Sequence, residues 1–91
     1  MDVKFFVSHA GDLNVQEPGK RNPETLIRNS RGWLQTENRD KAAEYLRDIA
    51  QRLGELFDAS EQETAADLLR EAEDKIDAAK LAEKCCQPVE F

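Results

Sequence analysis

The sequence predicts an α+β protein, mainly α: a short N-terminal β-hairpin segment precedes a C-terminal antiparallel helical hairpin over residues 38–56 and 61–84, which dimerises through its helices. Three observations predict it. Two apolar stripes recur at helical spacing, Phe57-Asp58-Ala59-Ser60 separates them tightly, and the chain before residue 17 alternates with period two. Ninety-one residues make one small domain, with 1–37 a strand and loop segment, 38–86 the helical hairpin and 87–91 a tail.

Taken in order, Val3, Phe5 and Val7 alternate with Lys4, Phe6 and Ser8, the mark of a strand with one apolar face. His9-Ala10-Gly11-Asp12 reads as a turn, because glycine supplies a permissive backbone, and Leu13-Asn14-Val15-Gln16 alternates again. Pro18-Gly19 then interrupts the chain, and Lys20-Arg21-Asn22 is polar enough for an exposed loop. Residues 23–36 fit two descriptions. Asn22-Pro23-Glu24 suits a helix start with proline at its first position, whereas Thr25-Leu26-Ile27 and Trp33-Leu34-Gln35-Thr36 around Asn29-Ser30-Arg31-Gly32 suit a second hairpin. Under either, Leu26, Ile27, Trp33 and Leu34 provide apolar bulk to cover the helices.

In the first helix Ala42, Leu46, Ile49, Leu53 and Leu56 fall on one face, widened by Tyr45, Ala50 and Phe57. Arg47, Asp48, Gln51, Arg52 and Glu55 fall on the other. Asn38 is the expected N-cap, with Asp40 near the positive end of the helix dipole. Ser60 followed by Glu63 matches a capping box and predicts the start of the second helix, whose stripe is Ala65, Leu68, Leu69, Ala72, Ile76, Ala79 and Ala82. Pro88 cannot extend it. The expected lengths are about 28 and 36 Å, and so short a loop requires an antiparallel pair.

Alanines dominate the second stripe, so a two-helix seam buries little area against the entropy of ordering it. Another surface must cover the stripes. The N-terminal segment, a second copy of the chain completing a four-helix bundle, or a different protein could do so, and self-association with the N-terminal segment contributing is the expected arrangement. On this reasoning Tyr45, Leu46, Ile49, Leu53, Leu56, Leu68, Leu69 and Ile76, with Trp33 as an aromatic anchor, are the expected protein interface.

Charge is divided unevenly. Residues 1–41 carry seven Lys/Arg against six Asp/Glu and residues 42–91 six against thirteen, giving +1 and −7 within the total of −6. Lys20, Arg21, Arg28 and Arg31 surround only Glu24 and form the expected nucleic-acid contacts if there are any. The second helix is an acidic rod. Cys85 and Cys86 are adjacent and cannot cross-link distant parts of one chain. No apolar run reaches membrane-spanning length, and Phe5-Phe6-Val7 after Lys4 is too short for a secretory leader, so a cytoplasmic location is expected.

His9 is the single histidine, and no spacing joins it to a nucleophile, a second metal ligand or a glycine-rich phosphate loop. Neither a cofactor nor an enzymatic activity is expected. Two local resemblances exist. Val3 to Asp12 resembles the first strand and loop of TIR domains, and Trp33 with Glu37 fits a Trp-x-x-x-Glu spacing; what this implies here is a strand followed by a turn, since the rest of that fold has no room in the chain. Glu55 to Gln62 is similar, with one extra residue, to the bend of the Rop family of small plasmid RNA-binding four-helix dimers, which implies a helical bend. The expected function is a non-enzymatic, acidic protein-binding module, an adaptor, inhibitor or regulator of the kind mobile elements encode, acting through its helical hairpin as a homodimer. A nucleic-acid-binding regulator using the basic patch around residues 20–41 is the alternative.

Overall fold

The computed structural model describes residues 3–29 and 36–84, in the order β1 (Lys4–Val7), β2 (Leu13–Gln16), β3 (Glu24–Ile27), α1 (Thr36–Asp58) and α2 (Gln62–Lys84). The class is α+β and mainly α, as predicted. Arg31, Trp33, Leu34, the Cys85-Cys86 pair and the tail 87–91 lie outside the described residues.

The three strands form one antiparallel sheet in the order β1-β2-β3. β1 pairs with β2 so that Phe5 faces Val15 and Val7 faces Leu13, which puts the four apolar side chains on one face. The turn between them closes with the Gly11 amide donating to the Ser8 carbonyl and the Ser8 amide to the Asp12 carbonyl, both at 2.9 Å. Gly11 has φ +88°, in the left-handed region where a side chain is strained. Between β2 and β3, Pro18-Gly19 occupies the centre of a turn in which the Lys20 amide donates to the Glu17 carbonyl at 3.2 Å.

Residues 24–27 overturn the helix start at Asn22-Pro23-Glu24 and match the strand expected at Thr25-Leu26-Ile27, while Trp33-Leu34-Gln35, the return arm of the second hairpin, lies outside the described residues. They are not the first turn of a helix but a strand paired antiparallel onto β2. The physical reason is tertiary: Thr25-Leu26-Ile27 is a β-favouring run, and β2 offers it an unpaired edge. Strict alternation would send Leu26 and Ile27 to opposite faces. A register shift opposite Leu13/Asn14 breaks that alternation, so Leu26 lines the helix-side cleft while Ile27 joins the core.

α1 begins two residues before the expected Asn38 cap. Glu37 in its first turn lies near the positive dipole end and pairs with Lys41 at 3.5 Å, so favourable charge extends upstream of Asn38. Each helix has 23 residues, about 35 Å. At the bend Ser60 is not an N-cap. Its φ is +60°, its amide donates to the Phe57 carbonyl at 3.1 Å, and the Glu61 amide donates to the Leu56 carbonyl at 2.8 Å. That pair of bonds is a Schellman motif, which makes Ser60 the left-handed residue terminating α1. The Glu61 carbonyl accepts the first helical bond, from the Ala65 amide, so α2 starts one residue later than the capping box predicts.

One core unites all five elements. Leu13 and Ile27 from the sheet, Ala42, Leu46, Ile49, Ala50 and Leu53 from α1, and Ala65, Ala72, Ile76 and Ala79 from α2 form a single buried cluster. α1 runs through the middle of it, touching the sheet on one side and α2 on the other. Phe5 meets Phe57 there with ring centroids 5.0 Å apart and tilted by 50°. The far ends are also tied, since Asn29 Nδ2 donates to the Arg39 carbonyl at 3.0 Å and Lys80 Nζ donates to the Arg28 carbonyl.

Candidate functional site: an acid-rimmed groove between the helices

The sheet covers one side of the helical pair. On another side, α1 and α2 leave an open groove of about 570 Å³ next to the bend, lined by Arg52, Glu55 and Leu56 from the end of α1, Ala59 and Glu61 from the bend, and Thr64, Asp67, Leu68 and Glu71 from α2. Helical periodicity explains most of this set: residues 52 and 56 stack on one face of α1, with Ala59 just past its end, and 64, 68 and 71 on one face of α2. Leu56 and Leu68 are half-buried, packed against the core on one side and facing the groove on the other.

Electrostatically the groove is one-sided. Glu55, Glu61, Asp67 and Glu71 line it, against one cation, Arg52, whose Nε already bonds Asp48 at 3.1 Å. Asp67 has Arg70 at 3.8 Å, whereas among the described residues no cation pairs with Glu55, Glu61 or Glu71. Beyond the groove, Lys75 Nζ sits 4.5 Å from the centroid of the Tyr45 ring, a cation–π contact across the two helices. Burial pushes the Tyr45 phenol above its ordinary range; Glu71 and Asp48 act in the same direction and Arg52 against it.

The residues expected at a protein interface divide into two groups. Leu46, Ile49, Leu53 and Ile76 are buried in the chain's own core, covered by the sheet and the opposite helix. Tyr45, Leu56, Leu68 and Leu69 are half-buried: Leu56 and Leu68 form the groove floor, and Leu69 lines a second cleft. The rim carboxylates were not singled out by sequence reasoning, although their signal was present. Asp67 and Glu71 stand four residues apart, on one face of the second helix.

Of the expected basic patch, the described residues Lys20, Arg21 and Arg28 are not brought together. Lys20 and Arg21 stand in the β2–β3 loop, and Arg28 follows the opposite end of β3, with about 13 Å of strand between. Lys20 bonds Glu17 at 2.6 Å, and that carboxylate pushes its ammonium pKa up.

The second cleft, about 220 Å³, lies between sheet and helices and is lined chiefly by Val3, Phe5, Val15, Leu26, Phe57 and Leu69. The third, about 350 Å³, gathers His9, Arg39, Asp40 and Arg47 beside the Gly11 turn. Among the described residues no three His, Cys, Asp or Glu side chains are arranged to hold a metal ion, and no helix is long and apolar enough to cross a membrane.

Fold and groove together define a small α+β chain, a three-stranded meander packed on two long helices. Compared with protein-family models, curated proteins and solved structures, the chain matches none.

Proposed function

We propose that this chain is a non-enzymatic protein-binding module whose helices form an antiparallel hairpin, and that the uncovered face of that hairpin is where it engages another protein as an adaptor, inhibitor or regulator. The observation that carries this reading is the groove itself. Leucines at positions 56 and 68 remain half-open between two long helices, although Leu46, Ile49, Leu53 and Ile76 of the same stripes are buried. A third element laid between two helices buries such residues in the usual ridge-and-groove manner.

The test is affinity capture from lysate with the tagged chain at low and high salt, alongside Leu68→Ser. Leu68 is half-buried, so circular dichroism of the variant is recorded in parallel. A stoichiometric protein retained by the parent chain at high salt and lost by a folded variant supports the reading; equal retention by both overturns it.

Self-association through the helices is supported by a separate observation. Leu81 on the last turns of α2 is 64% exposed, beside Ala78 and Ala82, and it lies away from the groove. A homodimer joined there leaves the groove free. Light scattering on the parent chain and on Leu81→Ser decides it, a dimer mass that reverts to 10.4 kDa in the variant being the expected result. Nucleic-acid binding has less support, because Lys20 and Arg21 are separated from Arg28 along β3.

A further inference from the structure

Resting on that reading, the geometry points to one class of occupant for the groove: a basic amphipathic helix of about two turns, with apolar anchors on its inner stripe and Lys or Arg on both flanks. Three features of the groove specify these properties.

The first is the floor. Leu56, Ala59 and Leu68 offer an apolar strip between two helices, which suits side chains spaced by three or four residues on one helix face. The second is length. From Thr64 to Glu71 the α2 bank extends about 10 Å at 1.5 Å per residue, which is two turns of an occupying helix.

The third is charge, which decides the occupant's chemistry. Glu55 lies on the α1 bank, Asp67 and Glu71 on the α2 bank and Glu61 at the bend, so acid flanks the apolar strip on both sides. Arg52, the cation of the lining, is held by Asp48. A neutral or acidic helix would desolvate these carboxylates without pairing them, whereas cations on both flanks of its apolar stripe pair them at the rim, where the pairs remain hydrated and set specificity and encounter rate. A second copy of the chain brings further acidic helix to an acidic rim and is disfavoured at this site for the same reason.

The test uses the intact chain and a synthetic helical peptide of about 15 residues, with leucines at helical spacing and lysines flanking them. Controls are the same peptide with glutamates in place of the lysines, and a lysine peptide with its leucines replaced by serine. Calorimetry is expected to show saturable one-to-one binding of the first peptide alone. Glu55→Lys with Glu71→Lys, both at exposed positions, is expected to weaken it by about tenfold or more. Glu73→Lys, on α2 outside the groove, should leave it unchanged.

No saturable binding, equal binding of the glutamate peptide, or an equal loss with Glu73→Lys overturns the inference. Leu68→Ser capture keeps the two levels apart. If the basic peptide fails while a lysate protein still depends on Leu68, the helix face is an interface but its occupant is of another chemistry; if both fail, the proposed function falls with the inference.

Discussion

The backbone amide of Asn29 donates to Oδ1 of Asp12 at 2.7 Å, across 17 positions of sequence, and joins the β1–β2 turn to the end of β3. Asn29 is fully buried, so its amide has little access to water as a substitute acceptor. Asp12→Ala is expected to cost about 1 to 3 kcal/mol, the penalty of an unsatisfied buried donor, and Asp12→Asn under about 1 kcal/mol because a carbonyl acceptor remains. Gly11 completes the junction, since a Cβ there would stand 3.0 Å from Asn29 Nδ2 and 3.4 Å from the Ala43 Cβ. With φ at +88° added, Gly11→Ala should cost about 2 to 4 kcal/mol. Thermal melts of the three variants would check both; a Gly11→Ala chain as stable as the parent would refute the close approach.

Gly54 gives the opposite expectation. It lies inside α1 with open space where a Cβ would project. Gly54→Ala therefore removes backbone freedom from the unfolded chain with no clash in the folded one, and should stabilise by about 0.5 to 1 kcal/mol. Urea unfolding is the check, and an unchanged m-value would locate the gain in backbone entropy rather than in a new structure.

Ser60 separates two accounts of the bend. Were it the N-cap of α2, Ser60→Gly would lose a few tenths of a kcal/mol. As the left-handed residue of a Schellman motif at φ +60°, the same substitution should gain about 0.5 to 1 kcal/mol. The sign of the change in Tm is sufficient to decide.

Tyr45 should carry a measurable pH dependence. Burial raises its phenol pKa above the unfolded value, so the folded chain holds the proton more firmly than the unfolded one. Its contribution to stability is fully present below the unfolded value of about 10 and is lost as pH climbs through the folded value. The chain has one tyrosine, so absorbance near 295 nm follows this group directly; a midpoint at or below the free-tyrosine value would contradict the burial described here.

Much of the fold was legible because local pattern and tertiary packing agree. Phe5 with Val7 and Leu13 with Val15 alternate without interruption, and the α1 and α2 stripes keep their spacing for six turns. β3 was legible only as one of two alternatives. Its Leu26 and Ile27 both turn inwards through a register shift, which erases the period-two signal over a strand of four residues. Ser60 misled for a related reason, since a serine three residues before a glutamate serves a capping box or a helix terminator equally, and the backbone angle that distinguishes them is not written in the sequence. The groove was half legible. Its leucines were in the stripes, but their separation from Leu46, Ile49, Leu53 and Ile76 depends on which face the sheet covers.

The central position of α1 has a consequence during synthesis. The three strands leave the ribosome before the helix that covers their apolar face, and 31 residues separate the end of β3 at Ile27 from the end of α1 at Asp58. At cellular elongation rates that is a delay of roughly 2 to 6 s. Three four-residue strands have too little buried area to hold together alone for so long. The sheet is therefore expected to consolidate on α1 as α1 emerges, and Lys4, Glu17, Lys20 and Glu24 place charge beside the strand ends, which disfavours edge-to-edge pairing of Phe5, Val7 and Leu13 between nascent chains.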